Sequence, residues 1–164
     1  MPIKVKQGFT LIELLVVIGI IGILTTIVTV ATNGARIKTR DTKRKAELSQ
    51  IGRFFSASSC FIPNAGPGDY DLADLVSEIK SKNPQLATMF KLPVDPKSGT
   101  ESKTNYHYKI LNSDRCILYA NLENKDEKIT IPDLNFPDVG KGTGILRSTT
   151  EGVNGTNIYF QYSK

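Results

Sequence analysis

Apolar and polar positions fall into three regimes along the chain. From Phe9 to Ala31 almost every position is apolar, and the only formal charge is Glu13. As a helix rising about 1.5 Å per residue, this stretch reaches roughly 35 Å, enough to cross the hydrocarbon core of a bilayer. Thr25, Thr26 and Thr29 suit such a helix because their hydroxyls bond back to the preceding turn. In the second regime, "ARIKTRDTKRKAELSQIGRFFSASS", no proline intervenes before Pro63. Ile37, Leu48, Ile51 and Phe55 fall near one face of a helix. Lys43 with Glu47, and Asp41 with Lys45, have i,i+4 spacing. One helix is therefore predicted from Thr10 to Ser56, its second half amphipathic and laying Ile51, Phe54 and Phe55 on a globular domain.

The third regime is turn-rich and then alternating. "CFIPNAGPGD" breaks the long helix. "DYDLADLVSEIKSKNP" has the period of a short helix, with Leu72, Leu75, Val76 and Ile79 on one face. Asp69 or Asp71 can cap its start, and Asn83-Pro84 ends it. Tyr106, Tyr108 and Ile110 alternate with polar neighbours, as a half-buried strand does. "RCILYANLE" and "EKITI" read as further strands, and Asn154-Gly155 as a hairpin-type turn before a last strand, "NIYFQYS". The segment from Pro132 to Gly152 follows no recognisable pattern. The fold class is α+β: a long N-terminal helix packed on a small antiparallel sheet domain.

Composition adds two constraints. The 164 residues suit one membrane segment and one small domain. The 21 basic residues exceed the 16 acidic ones by 5; without Lys4 and Lys6, 19 basic residues give +3. That balance does not demand a nucleic-acid partner. The two cysteines, Cys60 and Cys116, are read as one disulfide in an exported domain or as two buried thiols.

Glu13 is the anomaly. A carboxylate deep in a membrane helix costs about 2.5–3.5 kcal/mol, less near an end. Positions 9, 10, 16 and 17 are Phe, Thr, Val and Val, so its own helix is read as offering it no partner. A cation from another chain or a new amino terminus is the alternative to a carboxylate that reaches the interface or holds a proton. An ordinary secretory signal fits poorly, because its apolar core is shorter and ends in small residues. "MPIKVKQG" is basic, as a cytoplasmic flank is, yet the cluster from Arg36 to Lys45 opposes that orientation.

"KQG" followed by "FTLIELLVVIGIIG" resembles the N-terminal signal of type IV pilins and of the pseudopilins of type II secretion and competence systems. The shared features are a short basic leader ending in Gly8, Phe9 as first mature residue, and Glu13 fifth in the mature chain. The resemblance extends over roughly the first 55 residues. It implies cleavage between Gly8 and Phe9 by a prepilin peptidase, N-methylation of Phe9, and pairing of Glu13 with the terminal amine of a neighbouring subunit, a registry role for a buried charge. The resulting division is a leader (1–8), a transmembrane helix (9–31), an amphipathic stem (32–56) and a globular α+β domain (57–164). The implied partners are other pilins in a homo-oligomeric filament, an assembly ATPase, a membrane platform protein and membrane lipid. The implied location is the cytoplasmic membrane, single-pass, with an exported C-terminal domain and a surface filament after assembly. Many pilins carry a helix-kinking proline late in the apolar run, and this chain has none there; Gly19, Gly22 and Gly34 are left to loosen the helix or admit close neighbours. "LPVDPKSG" and "YHY" are similar to the segment before the sheet in major pseudopilins.

The remaining candidates carry little chemistry. The basic stretch from Arg36 to Lys45 is read as a solvated face or one pairing with acids of neighbouring subunits. Anionic headgroups and DNA are alternatives, DNA being disfavoured by the lack of interleaved aromatics. Some pseudopilins bind calcium in a C-terminal loop, and Asp133 and Asp138 are candidates by location only. Asp69, Asp71 and Asp74 are read as caps rather than a metal site. His107 reads as a polar-face strand residue, "GKGTG" as a flexible loop, and Asn154-Gly155-Thr156 as a chance glycosylation triplet. One histidine and two cysteines provide no nucleophile, base and orienting group, so the chain is read as a non-enzyme. The competing reading is an uncleaved, membrane-anchored extracellular binding domain.

Overall fold

A computed structural model of the chain describes residues 10–56, 59–82, 92–132 and 134–164, without the side chains of residues 30 and 54–56. Helix α1 covers Leu11–Ser56. The chain divides into two compact units, Met1–Arg36 and Ile37–Lys164. In the first unit the large apolar side chains from Leu11 to Val28 are exposed. Among the described residues, α1 alone is long and apolar enough to cross a membrane. Thr25, Thr26 and Thr29 donate to the carbonyls of Ile21, Gly22 and Thr25, which satisfies each hydroxyl without water. Thr32 does the same to Val28. A side chain at Gly19, Gly22 or Gly34 would meet open space, so the helix itself does not require these glycines.

The second unit is built on an antiparallel five-stranded sheet. Its strands are β1 (Gly68–Asp71), β2 (His107–Asn112), β3 (Arg115–Asn121), β4 (Gly144–Arg147) and β5 (Ile158–Ser163), in the order β1-β2-β3-β5-β4. Helix α2 covers Leu72–Lys82. The α+β class and the long N-terminal helix agree with the sequence reading. One sheet face carries Tyr108, Ile110, Leu118, Ala120 and Phe160 and packs with Leu48 and Ile51 of α1 and Leu72, Leu75 and Ile79 of α2. The other face carries Ile117, Tyr119, Leu146 and Tyr159, with Ile131, Leu134 and Val139 packed against it. Strand β3 is thus buried on both faces, which explains its near-continuous apolar sequence.

Several elements differ from the sequence reading. Asp69 and Tyr70 lie in a short strand, β1, whose backbone pairs with β2 through Lys109, Tyr108 and His107, and Asp71 ends that strand directly before α2, in the capping position the sequence suggests. Asp71 then caps α2, its Oδ1 accepting from the Ala73 N–H at 2.9 Å. "EKITI" is not a strand: Thr130 and Ile131 N–H groups both go to the single Ile145 carbonyl, at 2.8 and 2.9 Å, so no ladder develops. The patternless stretch contains β4 instead. Phe54 and Phe55 side chains, and Asn83-Pro84, lie outside the described residues.

Candidate processing and assembly site

The start of α1 holds a reciprocal cap. Thr10 is the N-cap and Glu13 the third helical residue, the T-x-x-E spacing of a capping box. The Glu13 N–H donates to Thr10 Oγ1 at 3.3 Å. Glu13 Oε2 accepts from the Thr10 N–H at 2.9 Å and from its hydroxyl at 2.7 Å. Glu13 therefore does have a partner in its own helix, contrary to the sequence reading. The partners are a hydroxyl and a backbone N–H three residues away rather than a cation. Gly8 and Phe9 lie outside the described residues.

The basic stretch following the apolar run is corrected too. Arg44 is wholly buried rather than solvated. Its Nε and Nη2 grip Asp95 Oδ2 and Oδ1 at 2.7 and 2.9 Å. Its Nη1 reaches Asp41 Oδ1 and Glu123 Oε1, each at 2.7 Å. Arg40 makes a two-pronged pair with Glu123, both bonds 2.7 Å. Lys45 pairs with Glu127 at 3.0 Å instead of with Asp41; Lys43 and Glu47 are 3.7 Å apart, as their spacing suggests. Asp41 also accepts the N–H groups of Glu123 and Asn124. The acids answering this stretch thus lie in the same chain, leaving Arg36 and Lys38 without acidic partners among the described residues.

Electrostatics follow from this packing. Burial alone raises the Asp95 pKa, but Arg44, Asn154 and the N–H groups of Ser98 and Lys97 hold it well below the carboxylate range. Burial opposes ionisation of Arg44, yet its bonds to Asp95, Glu123 and Asp41 raise its pKa. Glu123, also opposed by burial, is lowered by Arg40 and Arg44. Asp71 is lowered against its burial by Thr104, Ala73 and Asn105.

The other sequence candidates fall in separate places. Cys60 and Cys116 form a disulfide with Cα atoms 6.0 Å apart, linking the segment after α1 to β3. Asp138 Oδ1 is 3.2 Å from Lys109 Nζ, which also donates to the Pro137 carbonyl, so that loop carries an internal cation. Asp133 lies outside the described residues. Asn154 is buried, and its amide donates to Asp95 and to the Asn121 carbonyl, so the triplet is not an exposed acceptor in the fold. His107 stacks on Tyr119 and lies 3.4 Å from Asp69.

A family model described as a prokaryotic N-terminal methylation motif matches residues 3–29. The chain carries the class III prepilin signal of type IV pilins and pseudopilins. No curated protein and no solved structure matches the chain. The prepilin motif covers the leader and the exposed apolar part of α1, so it bears on processing and membrane anchoring. It supports a pilin-like structural subunit processed by prepilin peptidase and associating with other pilins.

Proposed function

We propose that this chain is a structural subunit of a type IV pilus or pseudopilus, cut between Gly8 and Phe9, methylated on Phe9 and polymerised through its apolar helix. The observation carrying the reading is the prepilin motif on a helix whose apolar side chains, Leu11 to Val28, have no cover of their own. In a filament, neighbouring helices would supply that cover. An assembly ATPase and a membrane platform protein are the implied partners, and the sheet-bearing second unit, here called the head, would be exported. Adhesion, motility, secretion and DNA uptake are all compatible with this role.

Glu13 then has two jobs that can be separated. Within one chain it caps α1 through Thr10. Between chains its charge would meet the amine that cleavage creates on Phe9 of a neighbour, offsetting two charges unfavourable in lipid. Glu13→Gln keeps a side chain fit for a capping box but removes the charge, whereas Glu13→Ala removes both. Sheared surface filaments, quantified against membrane-inserted subunit, distinguish the two. Registry by charge predicts that both variants insert and that both lose filaments. Normal filament yield from Glu13→Gln would leave only the cap.

A further inference from the structure

On the sheet face away from α1 lies a cleft of about 230 Å³, lined by His107, Tyr119, Phe136, Glu151 and Tyr159, among others. Three of its rings form a continuous wall: Phe136 stands 5.8 Å from both Tyr119 and Tyr159, at interplanar angles of 75° and 52°. Phe136 remains 40% exposed. No lysine or arginine lines the cleft. Glu151 makes no ion pair or hydrogen bond among the described residues, unlike Asp41, Asp95, Glu123, Glu127 and Asp138, which all have cations. Tyr159 lines the cleft beside it.

An unpaired carboxylate beside aromatic rings is the chemistry that receives a positive organic group. The rings attract it through their quadrupoles, and the carboxylate and phenol supply acceptors. The volume is below that of pockets for drug-sized molecules and suits a single side chain. We propose that this cleft is a binding site for an organic ammonium group of lysine-side-chain size, with Glu151 as its counter-ion and Tyr119, Phe136 and Tyr159 as its wall. The group can arrive on a free amine or on a lysine of a second copy. The site lies wholly within the head and does not depend on the filament reading.

The test uses the full chain in detergent micelles, with ring carbons of Tyr and Phe observed by NMR. Nα-acetyl-lysine methylamide is titrated beside its Nε-acetylated, uncharged counterpart and methyl glucoside. The expected result is saturable movement of the Tyr119, Phe136 and Tyr159 signals by the amine alone. Roughly tenfold weaker binding is expected for the acetylated probe and for Glu151→Gln. Glu151 is exposed, so an unchanged spectrum elsewhere checks that this variant is folded. Equal binding of both lysine probes, binding undiminished in Glu151→Gln, or movement by the glucoside alone overturns the proposal, as does no movement at all. Carbodiimide coupling then separates the sources: Glu151 joined to a lysine of another copy identifies the subunit, and coupling only to added amine identifies a free ligand.

Discussion

Arg44 and Asp95, 51 positions apart, meet in a two-pronged ion pair with both side chains wholly shielded from solvent. The pair ties α1 to the turn at Asp95, whose Oδ1 also accepts the N–H groups of Lys97 and Ser98. Breaking such a pair by removing one partner leaves the other charge buried and costs about 3–5 kcal/mol. Arg44→Met should therefore destabilise the head by about that amount in denaturant melts, although it preserves apolar bulk. A loss within a few tenths of a kcal/mol of zero would mean that water or Arg40 compensates fully.

Acid should act through the same group of residues. Asp71, Asp95 and Glu123 all titrate lower in the fold than in the unfolded chain. On acidification the unfolded chain takes up protons first. Their contribution is thus complete above the unfolded range, about pH 4, and is lost as pH falls through the lower folded values. Thermal midpoints of the wild type should stay nearly flat, as far as these groups decide, from about pH 8 to 5 and fall below about pH 4. In Arg44→Met the decline below about pH 4 should be shallower, because Asp95 and Glu123 lose the cation that lowers them and their folded values move up toward the unfolded ones.

The long helix, α2 and strands β2, β3 and β5 were legible because each is carried by a local period of apolar residues. The Thr10–Glu13 cap is equally local, but a hydroxyl and backbone N–H groups make it, and neither apolar periodicity nor charge spacing registers those. The basic stretch was different. Nothing near Arg44 in the chain announces Asp95 or Glu123, and a buried arginine has the same local sequence signature as a solvated one. Strands β1 and β4 were hidden for another reason: each is four residues long, and their order is set by pairing with β2 and β5 rather than by their own alternation.

The disulfide between Cys60 and Cys116 closes a separation of 56 residues. Loop-closure entropy of that length corresponds to about 4 kcal/mol in the chain-entropy account. Cys60→Ser with Cys116→Ser should lower stability by about 2–5 kcal/mol, and reductant should produce the same shift in wild type only. Reductant acting equally on the double variant would assign the effect elsewhere.

Gly52 of α1 lies directly under the ring of Tyr162, which a β-carbon at that position would overlap. An alanine here gains about 1 kcal/mol of helix propensity, but must displace the ring at a cost of about 1–3 kcal/mol. Gly52→Val adds bulk without matching that propensity gain, so its melting temperature should fall below that of Gly52→Ala. Gly52→Ala melting above the wild type would show that Tyr162 swings aside freely, leaving only the propensity gain.

The central claim is that this chain is a processed pilin-like subunit, and the most direct test is mass spectrometry of the N-terminal peptide from native membranes. The account predicts a chain that begins at Phe9 and is heavier than the unmodified peptide by one methyl group. A chain still beginning at Met1 or Pro2, in cells whose prepilin peptidase is active, would contradict it and leave an uncleaved membrane-anchored domain.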